Sequence, residues 1–405
     1  MTVSEATKLP CAARTGIRSF VWLASIAVGV IVTNLFAPQI LLGLIGPSLS
    51  MTTWQAGMIS TLTLLGYALG LFLLVPLADL FENKRLILRT LCCAILAALC
   101  TALAPTALLL LVATFVLGAS CAAIQMLVPL IASMSPPEHR GRVIGDVMSG
   151  LMIGILLSRP LASLIADASN WRAFYIVSAA LMAVLTGTLA FYLPTLRPVT
   201  HVGYGMLLAS FPKLLKEEPI LRVRAWTAAL VMASFSAYWA AIALRLSDAP
   251  FSLDAKGIAV FALIGAAGAA ATPLAGRLGD RGWARQLLFA SHLIIIISLG
   301  LCAWAGLIKS QAIALFWLSI GTILLDVGIT SDQTLGRRAI NLLRPEARGR
   351  LNGLFVGLFF VGGAIGAAAA ALAWTLGGWT VVCVVAAFFG LLALITDIVT
   401  STGTS

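Results

Sequence analysis

Two charged residues stand deep inside apolar stretches of this chain, where a charge needs a reason. Arg159 lies in Gly154-Ile-Leu-Leu-Ser-Arg-Pro-Leu-Ala-Ser-Leu-Ile-Ala166, and Asp326 in Leu318-Ser-Ile-Gly-Thr-Ile-Leu-Leu-Asp-Val-Gly-Ile-Thr330. A charge at the centre of a bilayer costs at least about 2.5–3.5 kcal/mol on insertion scales. A guanidinium in such a place can meet an anionic or hydroxyl-rich solute, and a carboxylate there can load and release a proton. Pro160 follows Arg159, and its missing N–H leaves a carbonyl that the guanidinium or water can satisfy. Gln125 and Gln333 are amides in similar surroundings, which need partners, either solute hydroxyls or each other. Asn34, Gln39 and the aromatic set Phe235, Tyr238 and Trp239 complete the candidates for a polar lining. Each has a plainer alternative. Arg159 can snorkel to an interface, Asp326 can be neutralised by Arg337 or Arg338, and aromatic residues in apolar helices often only pack.

Enzyme chemistry has little to stand on. The chain holds no H-E-x-x-H, no G-x-S-x-G and three histidines in all, and its seven cysteines show neither metal spacing nor a disulfide pattern. Cys92, Cys93, Cys100, Cys121, Cys302 and Cys383 lie inside apolar runs and read as small buried hydrophobes. No cofactor or metal is expected.

The elements that must position these residues follow from composition. Hydrophobic residues make up 60% and charged residues 10% of 405 residues, with a mean hydropathy of +1.04. A water-facing surface of this size would carry roughly 25% charged residues, so most of the surface must face lipid. Charged and proline-rich breaks divide the chain into twelve apolar spans: 18–45, 54–76, 86–104, 107–133, 143–166, 173–193, 223–246, 257–275, 286–308, 311–332, 351–374 and 379–399. Each is long enough to cross a hydrocarbon core of about 30 Å at about 1.5 Å per residue. Lys8, Arg14 and Arg18 precede the first run as in a signal peptide. No small-residue cleavage site follows, so a first transmembrane helix is expected there.

The net charge of +11 is a matter of topology rather than of nucleic-acid binding. Twenty-one of the 26 Lys and Arg fall at the N-terminus, in the central loop and in the loops after spans two, four, eight and ten. Arg172, Arg245, Lys256 and Lys309 hold the other side, and Arg159 lies within span five. By the positive-inside rule this puts both termini in the cytoplasm, expected here to be that of a bacterium with the protein in its inner membrane. The depth of Arg159, about 24 Å into its span, and that of Asp326, about fifteen residues into span ten from the opposite side, differ by on the order of 10–15 Å, so no direct salt bridge is expected.

The halves also repeat. A shift of 208 residues carries Thr114 onto Thr322, Gln125 onto Gln333, Pro137-Glu138 onto Pro345-Glu346, Arg140-Gly141-Arg142 onto Arg348-Gly349-Arg350, Gly154 onto Gly362 and Trp171 onto Trp379. Pro76-Leu77-Ala78 against Pro273-Leu274-Ala275 is a second echo. The expected fold is therefore an all-α membrane protein of two pseudo-symmetric six-helix bundles, residues 1–194 and 223–405, joined by a cytoplasmic loop at 195–222. Parallel repeats imply a site at the midplane between halves that rock about it.

The segment Val75-Pro-Leu-Ala-Asp-Leu-Phe-Glu-Asn-Lys-Arg85 resembles motif A of the major facilitator superfamily, G-x-L-a-D-r-x-G-r-k. Leu77, Asp79 and Lys84 fit, and Val75, Leu80 and Glu82 stand where the pattern has Gly, Arg and Gly. Within that family the chain is similar to drug and metabolite exporters of the arabinose and ribonucleoside efflux permease type, on Asn34-Leu-Phe-Ala-Pro-Gln39, the PPEHRGR loop at 136–142 and Leu324-Leu-Asp326. The resemblance implies that Asp79 latches the cytoplasmic face against the start of span eleven near Leu351-Asn352-Gly353, where free backbone N–H groups favour an anion. Lys84, Arg140, Arg142, Arg348 and Arg350 belong to the same gate. It also implies that span nine, which His292 opens, faces lipid, so no proton relay is expected there. Asp146 and Asp397 read as interface charges. Thr114 stands where proton-coupled exporters carry an arginine four residues before Gly118, and the span-five antiporter motif is reduced to Gly150, Gly154 and Arg159-Pro160.

These readings converge on a monomeric secondary transporter that exports a small organic solute or drug in exchange for protons by alternating access. The alternative is proton-coupled uptake of a sugar-like or nucleoside-like metabolite on the same fold. A channel is disfavoured because a two-fold repeat builds one central site, not a ring of filter residues.

Overall fold

A computed structural model describes residues 11–135, 139–196, 203–265, 267–268, 271–343 and 348–402. The described residues are helical nearly throughout, as a backbone in lipid must be when no water is present to take its hydrogen bonds. Among the described residues nine helices are long and apolar enough to cross a membrane, or ten when a bent pair counts as one span.

That bent pair is α1 (Cys11–Phe36) and α2 (Pro38–Ser48), which meet at 49°. Pro38 has no N–H to donate back into α1, so the helix breaks in front of it. Then come α3 (Thr53–Leu73), α4 (Asn83–Leu103), α5 (Ala107–Ser120), α6 (Ala123–Ser133), α7 (Arg140–Ala168) and α8 (Trp171–Tyr192). The second half holds α10 (Pro219–Ser247), α11 (Ala255–Gly265), α12 (Ala271–Leu278), α13 (Ala284–Ala305), α14 (Gln311–Asn341) and the run Arg348–Thr402. The last run is two helices, α15 (348–376) and α16 (379–402), separated by non-helical backbone at Gly377 and at Gly378, where φ is +63°. Contacts with α10 show the reversal. Along α15, Gly362 meets Ala229 and Gly366 meets Ala233; along α16, Ala386 meets Ser234 and Asp397 meets Arg224. One helix therefore runs parallel to α10 and the next antiparallel.

The loops sort to two ends. At the end poor in Lys and Arg, hereafter the far end, Trp171 Nε1 donates to Ser48 Oγ at 2.8 Å, Arg172 to the Ala104 carbonyl at 3.3 Å and Arg245 to the Gly306 carbonyl at 2.7 Å. Helix starts there are capped by side chains. Thr52 and Gln55 form a capping box, and Thr106 and Asn170 accept from the backbone N–H three residues on. At the basic end Asn83 N–H donates to the Leu196 carbonyl at 3.1 Å.

The expected loop at 195–222 needs correction. It contains a helix, α9 (Tyr204–Glu217), and α10 already begins at Pro219. Leu207 and Leu214 repeat at helical spacing and bury one face. Phe211 meets Phe72 edge-on, and the Tyr204 hydroxyl donates to the Leu73 carbonyl at 2.9 Å. The charges of Lys213, Lys216 and Glu217 masked this amphipathic period. Also corrected are Cys92, Cys93 and Cys100, which are exposed on α4, whereas Cys121, Cys302 and Cys383 are buried. An apolar run in a membrane helix has a lipid face as well as a core face, and run membership alone does not distinguish them.

Helices approach through glycine, because lipid gives apolar side chains no reason to prefer one another. Gly150 and Gly154 on α7 press against the Ser25 and Gly29 carbonyls of α1. Gly362 and Gly366 on α15 do the same to Ala229 and Ala233 of α10. The same G-x-x-x-G device thus joins corresponding helices in the two halves, with Gly154 and Gly362 related by the sequence repeat. Gly66 and Gly118 close α3 on α5 in the same way.

Candidate functional site

Arg159 reaches from α7 into the boundary between the halves and is 5% exposed. Its Nε and Nη2 donate to Gln39 Oε1 on α2 at 3.2 and 2.8 Å. Its guanidinium lies 3.9 Å from the centre of the Trp239 ring on α10, with Phe235 at 5.3 Å and Phe36 at 5.5 Å. A desolvated cation over an indole gains roughly 2 kcal/mol, which helps hold a charge that has left water. A cation from the first half therefore rests on an aromatic residue of the second.

The same indole serves the carboxylate. Trp239 Nε1 donates to Asp326 Oδ1 at 3.4 Å, and Asp326 and Arg159 lie within electrostatic reach of each other. Among the described residues no direct ion pair joins them. The sequence led to no direct salt bridge between them; what the structure adds is that both charges share one indole. Their nearness follows from the length of α14, 31 residues, more than a perpendicular crossing needs, and from the reach of an arginine side chain away from its backbone. Room for this arrangement comes from Gly265 on α11. A Cβ there would lie 2.6 Å from Asp326 Oδ2 and 2.7 Å from Trp239 Cζ2. Gly265 and Phe36 were not among the residues singled out from sequence; Phe36 does fall within the Asn34–Gln39 segment.

Other candidates have different neighbours. Gln39 is fully buried, and among the described residues its Nε2 has no hydrogen-bond partner, which leaves a donor beside Arg159. Asn34 is satisfied within the first half: Nδ2 donates to the Val30 and Ile31 carbonyls at 3.3 Å, and Oδ1 accepts from Ser178 Oγ at 2.9 Å. It ties α1 to α8. Tyr238 pairs its hydroxyl with Thr322 Oγ1 at 2.5 Å and is fully buried between α10 and α14. Gln125 donates to the Tyr67 hydroxyl at 3.3 Å, and Gln333 is half-buried. Tyr67 meets Phe360 edge-on at 4.6 Å, which joins the halves on the basic-end side of Arg159.

At the basic end Asp79 lies within electrostatic reach of Arg350, and Asn352 Nδ2 donates to Asn341 Oδ1 at 2.6 Å. Arg140 Nε donates to the Ser135 carbonyl at 3.2 Å. Arg142 is exposed and Lys84 half-buried. The Arg348 side chain lies outside the described residues, as do Pro137-Glu138 and Pro345-Glu346.

At the far end the halves touch. Ser163 Oγ on α7 donates to the Ala255 carbonyl at 2.7 Å, and Gly57 on α3 packs against Ala371 on α15. Beside the Gly57–Ala371 contact lies a cleft of about 230 Å³, lined mainly by apolar residues such as Leu42, Gly46, Ala56, Leu244, Ala371 and Trp374. Arg159, Gln39, Trp239 and Asp326 do not line this cleft.

The place given to His292 also needs correction. It is fully buried on α13 between Asp332 of α14 and Asp397 of α16. Asp397 is ion-paired with Arg224 and is not a lone interface charge. Asp332 carried no sequence signal, because it follows Ser331 near the basic end, where a loop charge is ordinary.

Comparison with known proteins agrees with this architecture. The family model described as Major Facilitator Superfamily matches residues 21–334. The chain is 36% identical over 373 residues to the "Uncharacterized transporter YgaY" of Escherichia coli O157:H7, covering 92% of this chain and 93% of that one. It is 25% identical over 344 residues to the "Probable sugar efflux transporter" of Helicobacter pylori (strain P12), covering 84% and 85%. The fold matches the crystal structure of a bacterial homolog to the human lysosomal transporter Spinster, in an inward-facing and occupied conformation, with a TM-score of 0.72 at 14% identity over 95% of this chain and 97% of that one. With a duplicated helical bundle, a family match over most of its length and relatives named as transporters, the chain belongs to the Major Facilitator Superfamily and is an integral membrane transporter, not an enzyme.

Proposed function

We propose that this protein exports a small, hydroxyl-rich organic solute across a bacterial inner membrane in exchange for protons. In this reading the chain makes twelve crossings, with bundles at 1–194 and 223–405, the 195–222 segment and both termini in the cytoplasm, and it works as a monomer. The far end faces outward, so the Ser163–Ala255 and Gly57–Ala371 contacts close the outer side.

The observation that carries the proposal is the buried line Gln39–Arg159–Trp239–Asp326 across the boundary of the two halves. It contains a cation, an anion, a free amide donor and an aromatic face, the set that a polyol or sugar ring needs for hydrogen bonds and stacking. The name borne by the Helicobacter pylori relative supports that substrate class. Opposite charges leave the line near neutrality when Asp326 is ionised, so a neutral solute enters without stranding a charge. A proton on Asp326 releases Arg159 from its attraction. One group thereby responds to both proton and solute, which is what exchange requires. Because the residues do not set direction, uptake by symport on the same site is the second reading.

Purified protein in liposomes tests this. Uptake of radiolabelled pentoses and hexoses, driven by an imposed pH gradient, should saturate with concentration and reverse with the gradient. Solute movement along with the proton flow would favour symport; rapid non-saturating ion current would reject a transporter cycle.

A further inference from the structure

Away from Arg159, four helices of the second half meet at a second set of buried charges. His292 of α13 is fully buried and Asp332 of α14 is 2% exposed. His292 Nε2 lies 3.1 Å from Asp332 Oδ1, and His292 Nδ1 lies 3.1 Å from Asp397 Oδ2 of α16. Arg224 of α10 completes the set as the ion-pair partner of Asp397. Asp332 and Asp397 act on the ring directly, and Arg224 is tied to it through Asp397.

The chemistry of an imidazole decides how such a site is filled. A neutral ring carries one N–H and one lone pair. Here each nitrogen faces a carboxylate oxygen, so a neutral ring would aim its lone pair at an anion whichever tautomer it took. Among the described residues neither Nδ1 nor Asp397 Oδ2 makes a hydrogen bond, so their 3.1 Å approach is a contact of charge, and it too favours an N–H over a lone pair. Only the doubly protonated ring offers a donor to both carboxylates. Charge leads to the same conclusion: two carboxylates and one guanidinium sum to −1, and a proton on the ring brings the cluster to zero. An uncompensated buried charge is among the costliest features a protein interior can hold.

We propose that His292, Asp332, Asp397 and Arg224 form a second proton-binding site, separate from Arg159 and Asp326, in which the imidazole carries the proton. The site belongs to the second half alone: the repeat places Ile124 and Leu189 where Asp332 and Asp397 stand. The proton welds α13 and α16 to α10 and α14. Its loss leaves a buried net charge that those helices relieve by separating or by admitting water.

The chain has three histidines, so the ring can be observed directly. In full-length protein carrying His139→Gln and His201→Gln, labelled with ¹⁵N-histidine and held in lipid nanodiscs at pH 7, His292 should show two protonated ring nitrogens. One bare nitrogen at pH 7 overturns the proposal. An independent measurement uses charge balance. His292→Gln should lower the melting temperature by several degrees, and adding Asp332→Asn, which returns the cluster to zero charge, should recover part of that loss. Equal or greater loss in the double variant overturns the proposal, since a packing role alone predicts further damage. Both readouts are independent of solute flux, so failure of the exchange mechanism at Asp326 would leave this site standing, and the converse holds too.

Discussion

At the scale of single residues, Trp239 organises the site. Its face holds Arg159 and its N–H meets Asp326, so the indole separates two charges that would otherwise form a salt bridge of little use to a solute. Arg159→Ala removes a charged donor, an interaction of about 1.5–3 kcal/mol. Solute affinity should fall roughly 10- to 100-fold, with normal insertion, as read by equilibrium binding on purified protein. Arg159→Lys should recover little, because an ammonium lacks the planar fork that bonds Gln39 and stacks on Trp239; wild-type affinity in either variant would remove Arg159 from the site. Asp326→Asn keeps the shape and deletes the titrating group. It should abolish pH-driven net flux while leaving solute exchange largely intact; if both survive unchanged, Asp326 is structural. The chemistry of these residues was legible in the sequence, since any charge inside an apolar run demands a purpose. Their partnership was not. It depends on helix tilt and on the room left by Gly265, and neither is written in residue spacing. Asn34 and Tyr238 illustrate the reverse case: polar types suited to a lining, satisfied instead by Ser178 and Thr322.

At the scale of elements, glycine sets how closely helices approach. Gly154 and Gly362 perform the same task in the two halves, so corresponding changes should have similar effects. Gly154→Val and Gly362→Val each force a branched side chain into a backbone carbonyl and should cost about 1–3 kcal/mol or more. The expected readout is a lower melting temperature and less monodisperse protein after detergent extraction, whereas Gly187→Val, where a Cβ meets nothing, should leave both unchanged. Equal stability of all three would mean that these contacts do not hold the bundle together. Helix positions themselves were readable from apolar run length, because the bilayer fixes how many residues a crossing needs. Breaks within runs were harder to read. Pro38 announces the bend between α1 and α2, but nothing comparable announces the turn between α5 and α6 at Cys121. Amphipathic α9 was missed because its charged residues, Lys213, Lys216 and Glu217, look like those of any loop.

At the scale of the whole molecule, duplication is the reason for proposing one solute site at the boundary of the halves. Residues from the first half, Gln39 and Arg159, face Trp239 and Asp326 from the second, so any rocking of one bundle against the other changes how these groups meet. The repeat of PE-x-RGR and a tryptophan at constant distance announced this symmetry before any helix was placed. The departures from symmetry, Asp326 opposite Gly118 and the His292 cluster opposite apolar residues, are where the proposed exchange places its protons. A protein that alternates must part the contacts that close its far end, Ser163 with Ala255 and Gly57 with Ala371. The most direct measurement is the distance between spin labels at Asp167 and Lys256, two exposed positions flanking the Ser163–Ala255 contact. Double electron–electron resonance in nanodiscs should resolve a short separation and a longer one, whose proportions shift with pH and with a bound solute. A single short distance, unchanged at every pH and with every solute tried, would contradict a mechanism in which the halves pivot about Arg159, Trp239 and Asp326.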